Sequence, residues 1–278
     1  MGIDSYRQTQ TQSNSAALSE AVEAGGYAPS IHNTQPWRWR VDGDTLELHA
    51  DPARQLPASD AGGRMMVLSC GAALHHARTA LAGQGWRVEV DRTAVPGQPR
   101  LLARLTLSGR LAVTRDALRL LHTIRNRRPD SRPGMATPVS SGDIDAIRRA
   151  VEAEQACLHT LRPDDVLDLA TTAADRAQTS DEFDPQWREE IADRPDGERP
   201  VGRGQDDAVR YAILYGSENT PSAWLHAGEA LSAAWLTAVE RGVSVLPLSD
   251  VVEVEITRVM LRRLLGEGGE PFLVLRFG

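Results

Sequence analysis

Two widely separated stretches carry the same apolar spacing, and any fold for this chain has to accommodate that repetition. Ala17-Leu18-Ser19-Glu20-Ala21-Val22-Glu23-Ala24 has helical periodicity. Ala146-Ile147-Arg148-Arg149-Ala150-Val151-Glu152-Ala153 repeats its apolar positions and its Ala-Val-Glu-Ala ending. A second pair matches without a gap: Gly71, Ala73, Leu74, Ala77 and Gly85 against Gly228, Ala230, Leu231, Ala234 and Gly242. Each forms an apolar helix followed by a glycine where a C-cap is expected. Each copy then closes in a strand-like run, Leu101 to Leu107 and Phe272 to Phe277. Ala-rich helices also resemble one another by chance, but here order and ending agree as well as composition.

Short strands lie between the helices. Trp37 to Val41 alternates in the strand manner, and Asp42-Gly43-Asp44 supplies a hairpin turn into Leu46 to Ala50. Trp86 to Val90, Leu158 to Leu161 and Tyr211 to Tyr215 are further strand candidates. Strands mixed with helices and tight hairpins indicate an α+β domain rather than a Rossmann sheet. The stretch 164–207 begins as a helix, Asp165 to Arg176, with Asp164 as N-cap. It ends in a Gly- and Pro-containing loop, 194–204, of the kind that often forms a lid. Met1 to Ser15, polar and rich in Gln, Ser and Thr, reads as a disordered lead-in without the apolar core of a signal peptide. The expected organisation is a first half over 16–118 and a second half over 119–278, with the lid insertion near 164–207.

Composition excludes several functions. The net charge of −7 argues against a nucleic-acid partner, because phosphate binding needs a basic surface. No stretch approaches the roughly 20 apolar residues of a spanning helix. With Cys70 and Cys157 alone, no disulfide framework or four-cysteine metal site is possible, and a cytoplasmic location follows by default. Cys70 beside His75 and His76 is a poor metal site, because adjacent histidines point about 100° apart on a helix. Helix core is the better reading of Cys70. Trp187 and Trp224 either line the lid or pack beneath it, with packing the safer reading.

Chemistry concentrates in two places. In Ala28-Pro29-Ser30-Ile31-His32-Asn33-Thr34-Gln35-Pro36-Trp37, two prolines hold the backbone extended and expose its amides. Ser30, Asn33 and Gln35 offer donors and acceptors suited to a polyol or a heteroaromatic edge. Without further context the segment also reads as an ordinary helix-to-strand connection. The second place is Ile124-Arg125-Asn126-Arg127-Arg128-Pro129-Asp130-Ser131-Arg132, either an anion site in an acidic protein or a solvated basic turn.

Pro-Ser-x-x-Asn-x-Gln-Pro-Trp after a helix resembles a hallmark of the nitroreductase family. Another hallmark, an Arg-Arg-Ser-type motif before Pro-Val and a helix, resembles the arginine cluster followed by Pro138-Val139 and a helix from about Asp143. A third, a turn under the flavin ring after a glycine-ended helix, is similar to Gly242 through Asp250. The resemblance covers Ala16 to Gly278. In the family the Arg motif precedes the Pro-Ser loop within each subunit, and the flavin lies at a dimer interface; here the Pro-Ser loop comes first. Each copy keeps what the other lacks, as in the Acg-like double-nitroreductase group. The resemblance therefore implies two fused, degenerate copies forming an intramolecular pseudo-dimer, a monomer with one composite FMN site.

Carried over residue by residue, the resemblance implies that Arg127 and Arg128, with Ser131 nearby, hold the FMN phosphate, for which a planar guanidinium fork is suited. It implies that Pro29, Ser30, Asn33 and Gln35 contact the ring and ribityl chain, and that Leu248 and Ser249 present backbone near its reactive edge. Pro129 replaces a usual serine, and Ser249-Asp250 replaces a Glu-Gly pair. Arg276 is the candidate for the phosphate-binding residue that a C-terminal extension often supplies. Asp60, Gly63 and Arg64 match an Asp-x-x-Gly-Arg pattern of the Acg-like group, with Arg64 either reaching the flavin or capping a turn. The implied function is electron transfer from NADH or NADPH through FMN to a small aromatic or quinone-like acceptor, with no catalytic side chain required. The alternatives are an FMN-sequestering protein with little turnover and a scaffold that has lost its flavin.

Overall fold

A computed structural model describes residues 3–57, 59–93, 97–126, 138–180 and 209–278. The first part of the chain runs α1 (Ile3–Gly26), β1 (Trp37–Asp42), β2 (Thr45–Ala50), α2 (Arg64–Gly83), β3 (Trp86–Asp91), β4 (Leu101–Arg110) and α3 (Arg115–Asn126). The second part runs α4 (Ser141–Ala153), β5 (Cys157–Thr160), α5 (Pro163–Ser180), β6 (Arg210–Gly216) and α6 (Pro221–Glu240). It continues with β7 (Val245–Leu248), α7 (Asp250–Glu253), α8 (Glu255–Leu265) and β8 (Glu270–Phe277). The fold is mixed helix and sheet, of the α+β class. Its two antiparallel four-stranded sheets have the orders β1-β2-β4-β3 and β5-β6-β8-β7, so the second repeats the strand order of the first.

Local chemistry explains the punctuation. β1 and β2 close at Asp42↔Thr45, and Gly43 takes φ 59° in the turn, a conformation that carries no Cβ penalty for glycine. Gly85 (φ 78°) and Gly242 (φ 69°) follow the C-caps of α2 and α6, where the repeat places them. Two expectations are corrected. Residues 3–15 are helical, part of α1, rather than an irregular lead-in. They contain neither Gly nor Pro, and buried Asn14 ties the helix to the hairpin turn by donating to Asp44 Oδ1 at 2.6 Å. Helix α5 starts at Pro163, so Asp164 lies inside its first turn; the fixed φ of proline suits a first helical position. The expected lid continues through 181–208, outside the described residues.

Helices α2 and α6 cross at the centre with their backbones almost touching. A Cβ on Gly71 would overlap the Leu225 carbonyl oxygen, and one on Gly228 the Leu68 carbonyl oxygen. Each helix consequently enters the other part's core. Leu225 packs with Trp37, Leu46, Leu48 and Leu105, while Met65 and Leu68 pack with Ile147, Leu214, Leu231 and Leu273. The outer face of the second sheet is covered by α5, α7 and α8 through Leu169, Val252 and Leu261.

A buried polar network lies along the same helix pair. Ser232 Oγ is 2.7 Å from Nδ1 of both His75 and His76. One hydroxyl carries one proton, so at least one imidazole must hold its own proton on Nδ1. Arg78 bridges Glu154 and the fully buried Glu229, and Arg92 grips Glu229 at 2.8 and 2.9 Å. Burial, and secondarily Arg78, pushes His75 down to about 4, so it is neutral in the folded protein.

Two predictions follow from this centre. Gly71→Ala should destabilise the protein by about 1–3 kcal/mol or more, since neither carbonyl can retreat without moving its helix. An unchanged urea midpoint would show that the crossing is looser than described. For His75, the unfolded chain takes up a proton below about pH 6.5 that the folded protein refuses until about 4. Its contribution is therefore present above that window and lost as pH falls through it. The urea midpoint should drop between pH 7 and 5 in the wild type and drop less in His75→Asn; equal drops would refute the assignment.

Candidate functional site

The Pro-Ser loop is anchored at both ends and strained in the middle. Ile31 N donates to Ser69 Oγ at 3.1 Å, and Gln35 N donates to Ser30 Oγ at 3.0 Å. Arg54 Nη1 donates to Gln35 O at 3.1 Å, and Gln35 Nε2 to Gly26 O at 3.3 Å. Between these anchors His32 (φ 51°), Asn33 (φ 55°) and Gln35 (φ 47°) all take left-handed backbone. Each such non-glycine residue is held at a cost of order 1–3 kcal/mol. The segment is thus not the extended run that its two prolines suggested. Ile31–Asn33 forms a single 3-10 turn, because the side chain of Ser30 closes the loop on itself.

The loop forms one wall of a small, open cleft. Ile31, His32, Thr34 and Pro36 line that wall, Arg54 to Leu56 with Ser59 and Asp60 the next, and Met65 and Met66 the base. Ser249 and Glu253, from the second part of the chain, close the opposite side. Ser249 is buried and starts α7, its carbonyl accepting from Val252 N and Glu253 N at 2.9 and 3.1 Å.

Beneath the cleft Arg64 joins the two parts. Its buried guanidinium donates to Glu253 Oε1 at 2.5 Å and to Pro271 O at 3.0 Å. Arg64 therefore neither caps a turn nor lines the cleft; it holds α7 and β8 against the start of α2. Asp60 performs the capping, its two oxygens accepting from Met65 N and Met66 N at 3.0 and 2.8 Å. Burial raises the Asp60 carboxyl above its ordinary range, while these two amides oppose the shift.

The residues expected from the sequence fall into three groups. Ser30, Asn33 and Gln35 belong to the strained loop, with Pro29 buried behind it, but the cleft itself is lined by their neighbours Ile31, His32, Thr34 and Pro36 and by none of these four. Ser249 is brought to the same cleft, whereas the Leu248 side chain turns into the core beneath the second sheet's helices. Arg276 is not brought there. It lies on β8 five residues beyond Pro271, about 16 Å along the strand at roughly 3.3 Å per residue. Arg127, Arg128 and Ser131 lie outside the described residues, as does Trp187. Trp224 packs against both central cores and donates to Asn219 Oδ1 at 2.8 Å. Cys70 is fully buried, and burial pushes its thiol far up.

Sequence reasoning missed the Glu253 half of the ion pair and the place of His32 on the cleft wall. Glu253 carries no local signal, since its partner is far away in the chain. His32 occupies an unspecified position of the Pro-Ser motif. The Ser232 network had a visible trace, a serine and Glu229 inside an otherwise apolar helix.

A cleft built between two antiparallel sheets that share a central helix pair defines a class: α+β proteins whose site is assembled from both sheets' connections. No family model matches the chain. Three Mycobacterium tuberculosis proteins are similar to it over nearly its whole length. "Putative NAD(P)H nitroreductase Rv3131" is 33% identical over 284 residues, covering 90% of this chain and 81% of the relative. "Putative NAD(P)H nitroreductase acg" is 28% identical over 293 residues, covering 94% and 88%. "Uncharacterized protein Rv3127" is 28% identical over 297 residues, covering 94% and 86%. The chain belongs to the nitroreductase family. Among the described residues no helix is long and apolar enough to cross a membrane.

Removing one partner of a buried ion pair strands the other. Glu253→Ala should destabilise the protein by about 3 kcal/mol by denaturant unfolding, with Glu253→Gln intermediate because it keeps the hydrogen bond. A loss under about 0.5 kcal/mol, the range of ordinary surface changes, would mean that Arg64 is not held as described.

Proposed function

We propose that the chain is an oxidoreductase of nitroreductase type built from two half-degenerate copies fused head to tail, which share one FMN site. Electrons from NADH or NADPH pass through FMN to a small aromatic or quinone-like acceptor. The observation that carries this reading is one juxtaposition: the Pro-Ser loop and Ser249, from opposite ends of the chain, line the same cleft. The equal strand orders of the two sheets and the Gly71–Gly228 crossing support the fused-copy origin. The names of the relatives in Mycobacterium tuberculosis support the nitroreductase type of the chemistry.

The chemistry of the donor set fits the ring end of FMN. Ile31, Leu56, Met65 and Met66 offer apolar and polarisable surface for a flat ring, and Thr34, Gln55, Ser59 and Ser249 offer polar groups for its edge. Pro29, Ser30, Asn33 and Gln35 hold the loop that carries this wall. Arg127 and Arg128, with Ser131, are the proposed phosphate ligands, by charge-assisted and bidentate bonds. When bound, FMN supplies the two-electron chemistry; the chain orients it and keeps water from the cleft. The central helix pair provides the interface that association otherwise makes, so the protein works as a monomer on a small molecule.

A second reading, storage of FMN with little turnover, is favoured by Asp250, which follows Ser249 where the family resemblance has a Glu-Gly pair and would disfavour a reduced, anionic flavin. Anaerobic addition of NADPH to the FMN-loaded protein separates the two. Rapid bleaching of the flavin absorbance supports the oxidoreductase, and persistent colour supports storage. Failure of the purified protein to take up FMN would remove both. Arg127→Ala combined with Arg128→Ala should weaken FMN binding by about a hundredfold, as expected for the loss of charge-assisted hydrogen bonds. Unchanged affinity in the double variant would place the phosphate elsewhere.

A further inference from the structure

We propose that His32 is the proton donor of the cleft, delivering to the acceptor the proton that accompanies two-electron reduction. This rests on the oxidoreductase reading above and adds to it a catalytic side chain at a position the family motif leaves unspecified.

The balance of the reaction requires such a donor. A quinone that gains a hydride and one proton becomes a hydroquinone. A nitro group that gains a hydride and one proton becomes a nitroso group and releases water. The reductant is the reduced nicotinamide dinucleotide, and hydride brings both electrons. The remaining proton must come from water or from a side chain at the site, and a positioned donor is worth about 10²–10⁴ in rate.

The cleft's own chemistry singles out His32 among the described residues. Four ionisable side chains line it: His32, Arg54, Asp60 and Glu253. Arg54 does not release a proton in the neutral range. Asp60, although burial raises its carboxyl, has both oxygens turned to the amides of Met65 and Met66 at the start of α2, where it serves as that helix's cap. Glu253 is paired with Arg64 at 2.5 Å and lies 3.5 Å from Arg258, so its two oxygens already face guanidinium groups. The hydroxyls of Thr34, Ser59 and Ser249 are far weaker acids. An imidazole is the side chain whose ordinary titration lies between about pH 5 and 8.

Geometry gives the same answer. His32 is half-buried, on the cleft wall, at the first of the three left-handed positions of the loop. Ile31 on one side is fixed to Ser69, and Gln35 on the other is fixed to Ser30 and Arg54. Strain of this kind persists only where the surroundings over-determine it, and here they hold the residue on the cleft wall. In a functional loop, a mere connector would be expected to carry glycine or asparagine at such a φ.

Asparagine provides the test because it tolerates left-handed backbone while removing the titrating group. In wild-type protein reduced beforehand by NADPH, the rate of quinone reduction should fall as pH rises from 5 to 9. In His32→Asn the rate should be about a hundredfold lower at pH 6 and flat with pH. The loss should exceed by at least tenfold any loss in the preceding reduction by NADPH. A readout independent of turnover is the NMR titration of the His32 ring. Its midpoint should move when a phenol, an unreactive mimic of the reduced acceptor, is added. A His32→Asn profile that keeps the wild-type pH dependence, or a His32 titration indifferent to phenol, would overturn the inference. Failure of NADPH to reduce the loaded wild type would instead overturn the oxidoreductase reading, and the phenol titration would still decide whether His32 meets an acceptor-like hydroxyl.

Discussion

Two helices can approach until their backbones touch only where neither carries a side chain at the crossing. Gly71 on α2 and Gly228 on α6 meet that condition together, each facing the carbonyl oxygen of a leucine on the other helix. The rest of the architecture is arranged around this contact. With the axes so close, Met65 and Leu68 reach the core of the second sheet, and Leu225 reaches that of the first. The start of α2 is carried to α7 and β8, where Arg64 meets Glu253 and Pro271. The cleft lies above that ion pair, so its shape is set by a helix crossing two turns away.

The cleft combines two kinds of constraint. On one side a loop of left-handed residues is pinned by the side chains of Ser69 and Arg54 from two other segments, which holds His32 on the cleft wall. On the other, Ser249 and Glu253 are held by a short helix and by an arginine that crosses from the first part of the chain. Neither side is complete without the other, and both depend on the central helices. The neutral His75, with His76 beside it on Ser232, and the arginines around Glu229 occupy the same interface deeper in the molecule. A buried network of this type specifies one register between helices more than it adds stability.

The parts of the fold set by local pattern were legible in the sequence. The duplicated helices, their terminal glycines, the β1–β2 hairpin and the closing strands are all expressed in spacing and turn residues. Helix formation over residues 3–15 was not legible, because a polar run without Gly or Pro has no periodic signature and gains its order from Asn14 meeting a turn in another element. The conformation of the Pro-Ser loop was misjudged for a related reason. Prolines bias a chain toward extension, but Ser30 closes the backbone on itself, and the anchors at Ser69 and Arg54 come from elsewhere. Arg64 was noticed as a residue, yet its partner Glu253 is a long-range choice that no local pattern encodes. Family resemblance located the loop and Ser249, and the structure adds the base of the site. Arg276 shows the reverse case, a basic residue on a recognisable strand that lies at its far end.

The central claim is that two fused copies assemble one cofactor site, with the loop from one and the Ser249 turn from the other. The most direct measurement is the stoichiometry of FMN bound by the purified chain, by titration of the flavin-stripped protein followed in the visible spectrum. One FMN per chain of 278 residues is the predicted result. Two per chain would mean that each copy keeps a site of its own, and none would mean that the cleft between the sheets holds something other than a flavin.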